Sequence, residues 1–312
     1  MGDGDIYLLF GKNGWIGGKL IELMKEQNKT FHLADSRTQN RQDVIAEIEK
    51  YKPTHILNAA GVTGRPNVDW CEDHKQETIR TNVIGCLNMA DLCEEYGIHH
   101  TLYATGCIFE YDDEHTIGGK GFTEEDSPNF HGSYYSHTKA MVEGLLKAYT
   151  KTCTLRVRMP ISDDLASRNF LTKIIKYDKV VNVPNSMTTL TDMLPVSLVM
   201  AEKKLTGIYN FCNPGAISHN ECLDLYKKYV DPEYTYQNFS LDEQAKILKA
   251  GRSNNTLDHT KLCAAVAPME IPEIHVAVEG VFKRMRENLE AETDESGAKV
   301  WPNNLPKRAK KA

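Results

Sequence analysis

Apolar residues along this chain fall in short runs whose period changes, and the changes mark elements. Residues 6–10 form an unbroken apolar run of strand length, and residues 15–27 then space their apolar side chains at helical intervals. Residues 30–34 read as a second strand ending at Asp35, and residues 42–51 as a helix with Val44, Ile45 and Ile48 on its apolar side. Pro53 ends that helix. Residues 55–60 form a third strand and residues 77–96 a long amphipathic helix. Residues 100–104 and 154–157 are further strands, with a helix over 135–149 between them. This alternation predicts an α/β fold, a Rossmann-like doubly wound parallel sheet with helices on both faces.

The pattern changes after Pro160. Residues 170–177, 195–204 and 219–229 read as helices, the last capped by Ser218. Residues 180–183 look extended, and 207–211 look like a strand. The organisation expected is a Rossmann-like domain over 1–160, a smaller C-terminal lobe over 161–287 and a charged, solvated tail over 288–312. The closing Lys307-Arg308-Ala309-Lys310-Lys311 reads as an ordinary basic tail, with a nuclear address or an anion patch as alternatives.

Composition narrows the classes. A chain of 312 residues can bury a large core. Its net charge of -6 argues against nucleic acid as a partner. The apolar runs are strand-sized, so no membrane span is expected. Met1-Gly2-Asp3-Gly4-Asp5 lacks the basic and apolar regions of a secretory signal, and Ile6 stands where a myristoylation motif wants Ser or Thr. The eight cysteines are scattered without a C-x-x-C pair. They suggest neither a metal site nor a disulfide framework, but reduced thiols in a cytoplasmic protein.

Three features carry chemistry. Gly11-Lys12-Asn13-Gly14-Trp15-Ile16-Gly17 follows the first strand and opens the first helix. Such a loop lets backbone approach a pyrophosphate at a helix N-terminus, so it predicts a bound dinucleotide. Asp35 at the end of strand two would favour NADH through a ribose hydroxyl. Arg37 and Lys12 would favour NADPH through its 2′-phosphate, and two cations against one acid point to NADPH with NADH possible. Asn58-Ala59-Ala60-Gly61 ends strand three with small residues, of which Ala59, Ala60 and Gly61 suit a backbone lying against the cofactor. Asn82 is expected to join that set. Tyr135 and Lys139 stand four apart, on one helix face, where an ammonium can favour the phenolate. With the loop upstream, the pair predicts nicotinamide-dependent carbonyl chemistry.

Taken together, these features resemble an extended short-chain dehydrogenase/reductase. Longer runs resemble the bifunctional 3,5-epimerase/4-reductases that finish nucleotide-rhamnose synthesis in plants, close to the dTDP-4-dehydrorhamnose reductases. The runs are Gly61-Val62-Thr63-Gly64-Arg65-Pro66-Asn67-Val68-Asp69-Trp70-Cys71-Glu72, Ala104-Thr105-Gly106-Cys107-Ile108-Phe109, Arg156-Val157-Arg158-Met159-Pro160, Pro184-Asn185-Ser186-Met187-Thr188 and Arg252-Ser253-Asn254-Asn255. They cover the chain from residue 6 to about 262. Ala34-Asp35-Ser36-Arg37 departs from the family pattern, so cofactor preference is not inherited.

The resemblance implies a UDP- or dTDP-linked 4-keto-6-deoxyhexose, delivered by a nucleotide-glucose 4,6-dehydratase. Thr105 and Tyr135 would hold the C4 carbonyl oxygen, Tyr135 would give the proton, and Lys139 would assist it and hold the nicotinamide ribose. Cys107 lies two positions past Thr105, so an extended strand would place both on one face. It resembles the cysteine acid/base of GDP-fucose synthase, and Lys173 matches that family's second acid/base. Arg65, Asn169, Arg252 and Asn254 would hold substrate. Two alternatives remain open: a reductase without epimerase activity, and a non-catalytic NADP-binding regulatory subunit like that of methionine adenosyltransferase. A homodimer through long helices is also expected.

Overall fold

The computed structural model describes residues 4–306, so the basic tail at 307–311 and the first three residues lie outside it. In chain order the first half contains β1 (Ile6–Phe10), α1 (Trp15–Glu26), β2 (Thr30–Leu33), α2 (Arg41–Tyr51), β3 (His55–Asn58), α3 (Trp70–Asp73), α4 (Lys75–Ile79), α5 (Gly85–Tyr96), β4 (His99–Tyr103), α6 (Tyr134–Leu146) and β5 (Thr152–Leu155). The second half adds β6 (Pro160–Ile161), α7 (Phe170–Ile175), β7 (Lys179–Val180), β8 (Thr188–Thr189), α8 (Leu190–Glu202), β9 (Gly207–Tyr209), α9 (His219–Tyr229), β10 (Gln237–Asn238), α10 (Leu241–Ile247), α11 (Thr260–Val266) and α12 (Ile274–Ala291).

Six strands form one parallel sheet in the order β2-β1-β3-β4-β5-β9. The expected doubly wound architecture is therefore present. Alternation within β1 decides its two faces. Tyr7 and Leu9 join the core beneath α1, α8 and α11, whereas Leu8 and Phe10 join the core beneath α2 and α5. Strand order reverses between β1 and β3, and a crevice outside the strand ends at such a switch point is where α/β sheets take ligands.

The structure redraws three expectations. The helix over 77–96 is interrupted: Arg80–Ile84 is a π turn joining α4 to α5. Residue 160 is not a clean boundary, because β9 returns as the sixth strand and Met193, Leu194, Tyr209 and Leu262 complete the first core. The second lobe has its own core of Ile161, Leu171, Ile174, Leu223, Tyr226, Val278 and Phe282. The tail begins later than expected. Helix α12 runs to Ala291 with Leu289 buried, and Trp301 and Leu305 pack on this second core with the Arg286 guanidinium 4.0 Å over the Trp301 ring. One tryptophan and one leucine among charged residues give no period to read. Among the described residues, no helix is long and apolar enough to cross a membrane.

Candidate active site

The glycine loop is packed against the end of β3. Gly11 has φ +87, and a Cβ there would lie 2.6 Å from the Ala59 carbonyl carbon and the Ala60 nitrogen. A Cβ at Gly17 would strike the Gly11 carbonyl oxygen. Gly14 caps α1 without a side chain, so no side-chain oxygen fills the space before the first-turn N–H groups. A backbone cradle open to a helix N-terminus fits a pyrophosphate. Asn13 is exposed at the loop tip, Ile16 packs on the first core, and the Trp15 indole donates to Asp164 Oδ2 at 2.9 Å in the second lobe.

Lys12 and Asp35 form an ion pair with each other, which holds the Asp35 carboxyl below the usual range. The main-chain N–H of Asp35 donates to Glu47 at 2.7 Å, and Arg37 is exposed beside them. Asn82 is buried and does not face the cofactor crevice freely. Its amide accepts from Val62 N at 2.9 Å and donates to Val62 O at 2.8 Å, bracing the turn that carries Ala59, Ala60 and Gly61. The π turn around Asn82 is where that side chain leaves the helix surface.

Helix α6 presents the tyrosine and lysine. Ser133 caps it by accepting from Ser136 N at 3.1 Å, which fixes where the first turn begins and so where Tyr135 points. Tyr135 and Lys139 are both buried, one turn apart. Burial pushes the phenol well above its ordinary value, Cys107 adds to this, and the Thr105 hydroxyl pulls the other way as a hydrogen-bonding neighbour. The expected lowering by Lys139 is not what governs the phenol: burial leads, and it holds the phenol protonated. Among the described residues Lys139 has no carboxylate partner, which leaves its ammonium for a bound group.

Thr105 and Cys107 are neighbours for a reason other than strand alternation. Strand β4 ends at Tyr103, and residues 105–107 turn, with Cys107 N donating to Thr105 Oγ1 at 3.1 Å. The Cys107 sulfur is half-buried and accepts from Arg158 Nη1 at 3.0 Å. Lys173 faces the same region from α7. Burial pushes its ammonium down, Arg168 and Arg252 add to this, and Cys107 opposes them. A lysine lowered in this way gives up its proton more readily than a solvated one, which suits it to proton transfer.

Asn169 does not present itself to a ligand. It is fully buried, accepts from Leu171 N at 3.1 Å as the cap of α7, and donates to Ser162 O and Asp164 O, each at 2.7 Å. Its role here is to aim the helix that carries Lys173. Asn254 accepts from Asn185 at 3.0 Å, and Arg252 donates to Asp69 at 2.9 Å while staying partly exposed. Arg65 is exposed. Sequence reading passed over Arg168, which donates to Thr63 and Gly64 at 3.0 and 2.8 Å and is lowered by burial and by Arg65. Arg65, Arg168, Lys173 and Arg252 make a cationic end suited to a polyanion such as a diphosphate. Arg168 had no motif to announce it.

Residues 7–177 match the model of the NAD dependent epimerase/dehydratase family. The chain belongs to this family. It is 58% identical over 279 residues to a bifunctional dTDP-4-dehydrorhamnose 3,5-epimerase/dTDP-4-dehydrorhamnose reductase of Arabidopsis thaliana, covering 89% of this chain and 91% of that relative. It is 54% identical to an Arabidopsis trifunctional UDP-glucose 4,6-dehydratase/3,5-epimerase/reductase, of whose length it spans only 41%. The structure of a UDP-rhamnose synthase from Acanthamoeba polyphaga mimivirus superposes at TM-score 0.86 with 38% identity, covering 90% of this chain and 100% of that one. A dTDP-4-dehydrorhamnose reductase from Bacillus anthracis in complex with NADP shares the fold at TM-score 0.76 and 20% identity. The resemblance read from the sequence is therefore borne out. As a member of the epimerase/dehydratase family the chain takes a nicotinamide dinucleotide, and the Gly11 cradle is where the fit lies.

Proposed function

We propose that this protein converts UDP- or dTDP-4-keto-6-deoxyglucose into the corresponding L-rhamnose nucleotide, by 3,5-epimerisation and NADPH-dependent reduction of the C4 ketone. The observation that carries this reading is the meeting of two proton-transfer sets in one site. Thr105, Tyr135 and Lys139 suit reduction, and Cys107 with Lys173 suits epimerisation. The high overall identity to a bifunctional relative supports the same conclusion. An intact Thr105, Tyr135 and Lys139 set speaks against a non-catalytic regulatory subunit.

The chemistry follows from the residues. The hydrogens on C3 and C5 flank the C4 ketone, which takes up the electron pair when either leaves. Of Cys107 and Lys173, one removes the proton and the other returns one to the opposite face, so the centre inverts with no net oxidation. Thr105 and Tyr135 hold the C4 oxygen throughout. Held along the glycine loop, a nicotinamide dinucleotide would supply the hydride. Tyr135, kept protonated by burial, then gives its proton to the C4 oxygen, and Lys139 holds the ribose and steadies the resulting phenolate. The cationic end holds the diphosphate. A nucleotide-glucose 4,6-dehydratase would deliver the substrate, a step that the trifunctional relative's name places in one chain with the later two.

The preference for NADPH rests on the Lys12–Asp35 pair. With Asp35 engaged by Lys12 and Arg37 exposed alongside, the crevice suits a 2′-phosphate better than a bare hydroxyl. The test is turnover with both 4-keto-6-deoxyglucose nucleotides and both cofactors, with the sugar product identified. L-rhamnose nucleotide formed with NADPH is expected, and Arg37→Ala should weaken NADPH roughly 10-fold or more relative to NADH, the loss of one charge-assisted bond. Equal losses for the two cofactors would show that Arg37 does not read the phosphate.

A further inference from the structure

Arg156 and Arg158 stand two apart in a buried segment, so both side chains enter the interior on one face, yet they are satisfied differently. Arg156 is paired with Glu143 at 2.7 Å. Arg158 is 1% exposed and among the described residues has no carboxylate partner. Its guanidinium donates from Nε to Asn255 Oδ1 at 3.2 Å, from Nη2 to Asn185 Oδ1 and to Ser253 O at 2.7 Å, and from Nη1 to the Cys107 sulfur at 3.0 Å. A buried cation surrounded only by neutral acceptors is costly. Among the groups to which its guanidinium donates, the one able to become an anion is the half-buried Cys107 thiol. Cys212, the other nearby thiol, is fully buried and pushed up to about 12.

We propose that Arg158 is the positioning residue for epimerisation: it holds Cys107 in place and carries the negative charge of its sulfur during proton transfer at C3 and C5. This rests on the reading of Cys107 given above. Whichever way the proton moves, the sulfur is an anion in one of its two states. If Cys107 removes the proton, the C–H bond breaks, an S–H bond forms, the electron pair passes to the C4 oxygen and Lys173 returns a proton to the other face. If Lys173 removes it, Cys107 returns one and is left as the thiolate. A guanidinium N–H aimed at the sulfur stabilises that thiolate in both cases, as cations beside reactive cysteines do. The groups facing Cys107 are Arg158, Tyr135 and Lys173, and those facing Arg158 besides Cys107 are Tyr111, Cys212 and His219. No carboxylate among them competes for the guanidinium. The reduction set of Thr105, Tyr135 and Lys139 makes no contact with Arg158 that would require it.

The test uses the full chain and two readouts. The first is incorporation of solvent deuterium at C3 and C5 of the 4-keto-6-deoxyglucose nucleotide without NADPH, followed across pH. The second is reduction of a 4-keto-rhamnose nucleotide prepared with a separate epimerase. Arg158→Met should lose exchange about 10²-fold near neutral pH and regain part of it at higher pH, while reducing within a few-fold of wild type; Arg158→Lys should recover part of the exchange. Exchange by Arg158→Met at the wild-type rate with an unchanged pH profile overturns the inference, whereas absence of exchange in wild type overturns the epimerase reading itself. Because Arg158→Met removes several buried hydrogen bonds, alkylation by iodoacetamide at neutral pH is followed by peptide mass spectrometry in the unsubstituted protein and in the conservative Arg158→Lys variant. Cys107 should be alkylated more slowly in Arg158→Lys than in the unsubstituted protein, with the rate at Cys263, the other half-buried thiol, unchanged. An unchanged rate at Cys107 contradicts the proposal.

Discussion

At the scale of single residues, the proposed mechanism makes the two halves of the chemistry separable, because it assigns them different side chains around one carbonyl. Tyr135→Phe removes only the hydroxyl, so reduction should fall by ~10²–10⁴, while deuterium exchange at C3 and C5 should fall much less, because Thr105 still holds the C4 oxygen. Cys107→Ser should do the reverse, slowing exchange and still reducing a pre-epimerised sugar. Stopped assays with each substrate check this, and a Tyr135→Phe enzyme with near-normal reduction would remove Tyr135 from the mechanism. Most of these candidates were singled out before the structure because motif and order announce them: the glycine loop, the tyrosine–lysine spacing, and Cys107 by resemblance. What was not legible is how they are held. The closeness of Thr105 and Cys107 comes from a turn closed by the Thr105 hydroxyl, not from strand alternation. Asn169 and Asn82 turned out to be braces rather than ligands, since an amide in a sequence does not say whether backbone will claim it. Arg158 carried one faint signal, its two-residue spacing from Arg156 in an otherwise apolar segment.

At the scale of elements, the ends of β3 and β4 hold three histidines in the core. Burial pushes His100 to about 3 and His99 to about 4, and lowers His55 as well. His100 shares a proton with Thr152 Oγ1 at 3.2 Å and faces the Asn58 amide at 3.5 Å, so a second proton would meet a donor. These folded values lie below the ordinary 6.5. The unfolded chain therefore binds more protons below that pH, and the stability that neutral rings confer is fully present above it and lost as pH falls toward the folded values. Denaturant unfolding should lose roughly 2 kcal/mol for each of His99 and His100 between pH 7 and pH 5. His100→Gln should reduce the slope by about one proton; an unchanged slope would mean that His100 does not couple protonation to folding. Apolar periodicity located β1, β3 and β5 within a residue or two. It missed the π turn at Arg80–Ile84, because one extra residue in a helix leaves the apolar face nearly unshifted while freeing Asn82 to reach Val62.

At the scale of the whole molecule, the chain forms a doubly wound sheet with a second lobe, and the site lies where they meet. Trp15 on the cofactor loop reaches Asp164, Lys19 pairs with the same carboxylate at 2.7 Å, and Arg168 on the lobe donates to the Thr63 hydroxyl and the Gly64 carbonyl. Sequence reading found both lobes but drew the border at 160, because a chain that leaves a sheet and returns for one short strand, β9, shows only three residues of evidence. That long excursion is what brings Lys173 from α7 near Cys107, and on the proposed mechanism it gives one carbonyl two kinds of proton transfer. The most direct test of that claim is one turnover experiment in deuterium oxide, with unlabelled NADPH and a 4-keto-6-deoxyglucose nucleotide prepared in ordinary water. The expected product is an L-rhamnose nucleotide carrying deuterium at both C3 and C5 and protium at C4. A reduced sugar with protium retained at C3 and C5 would contradict the account, leaving a reductase without epimerase activity.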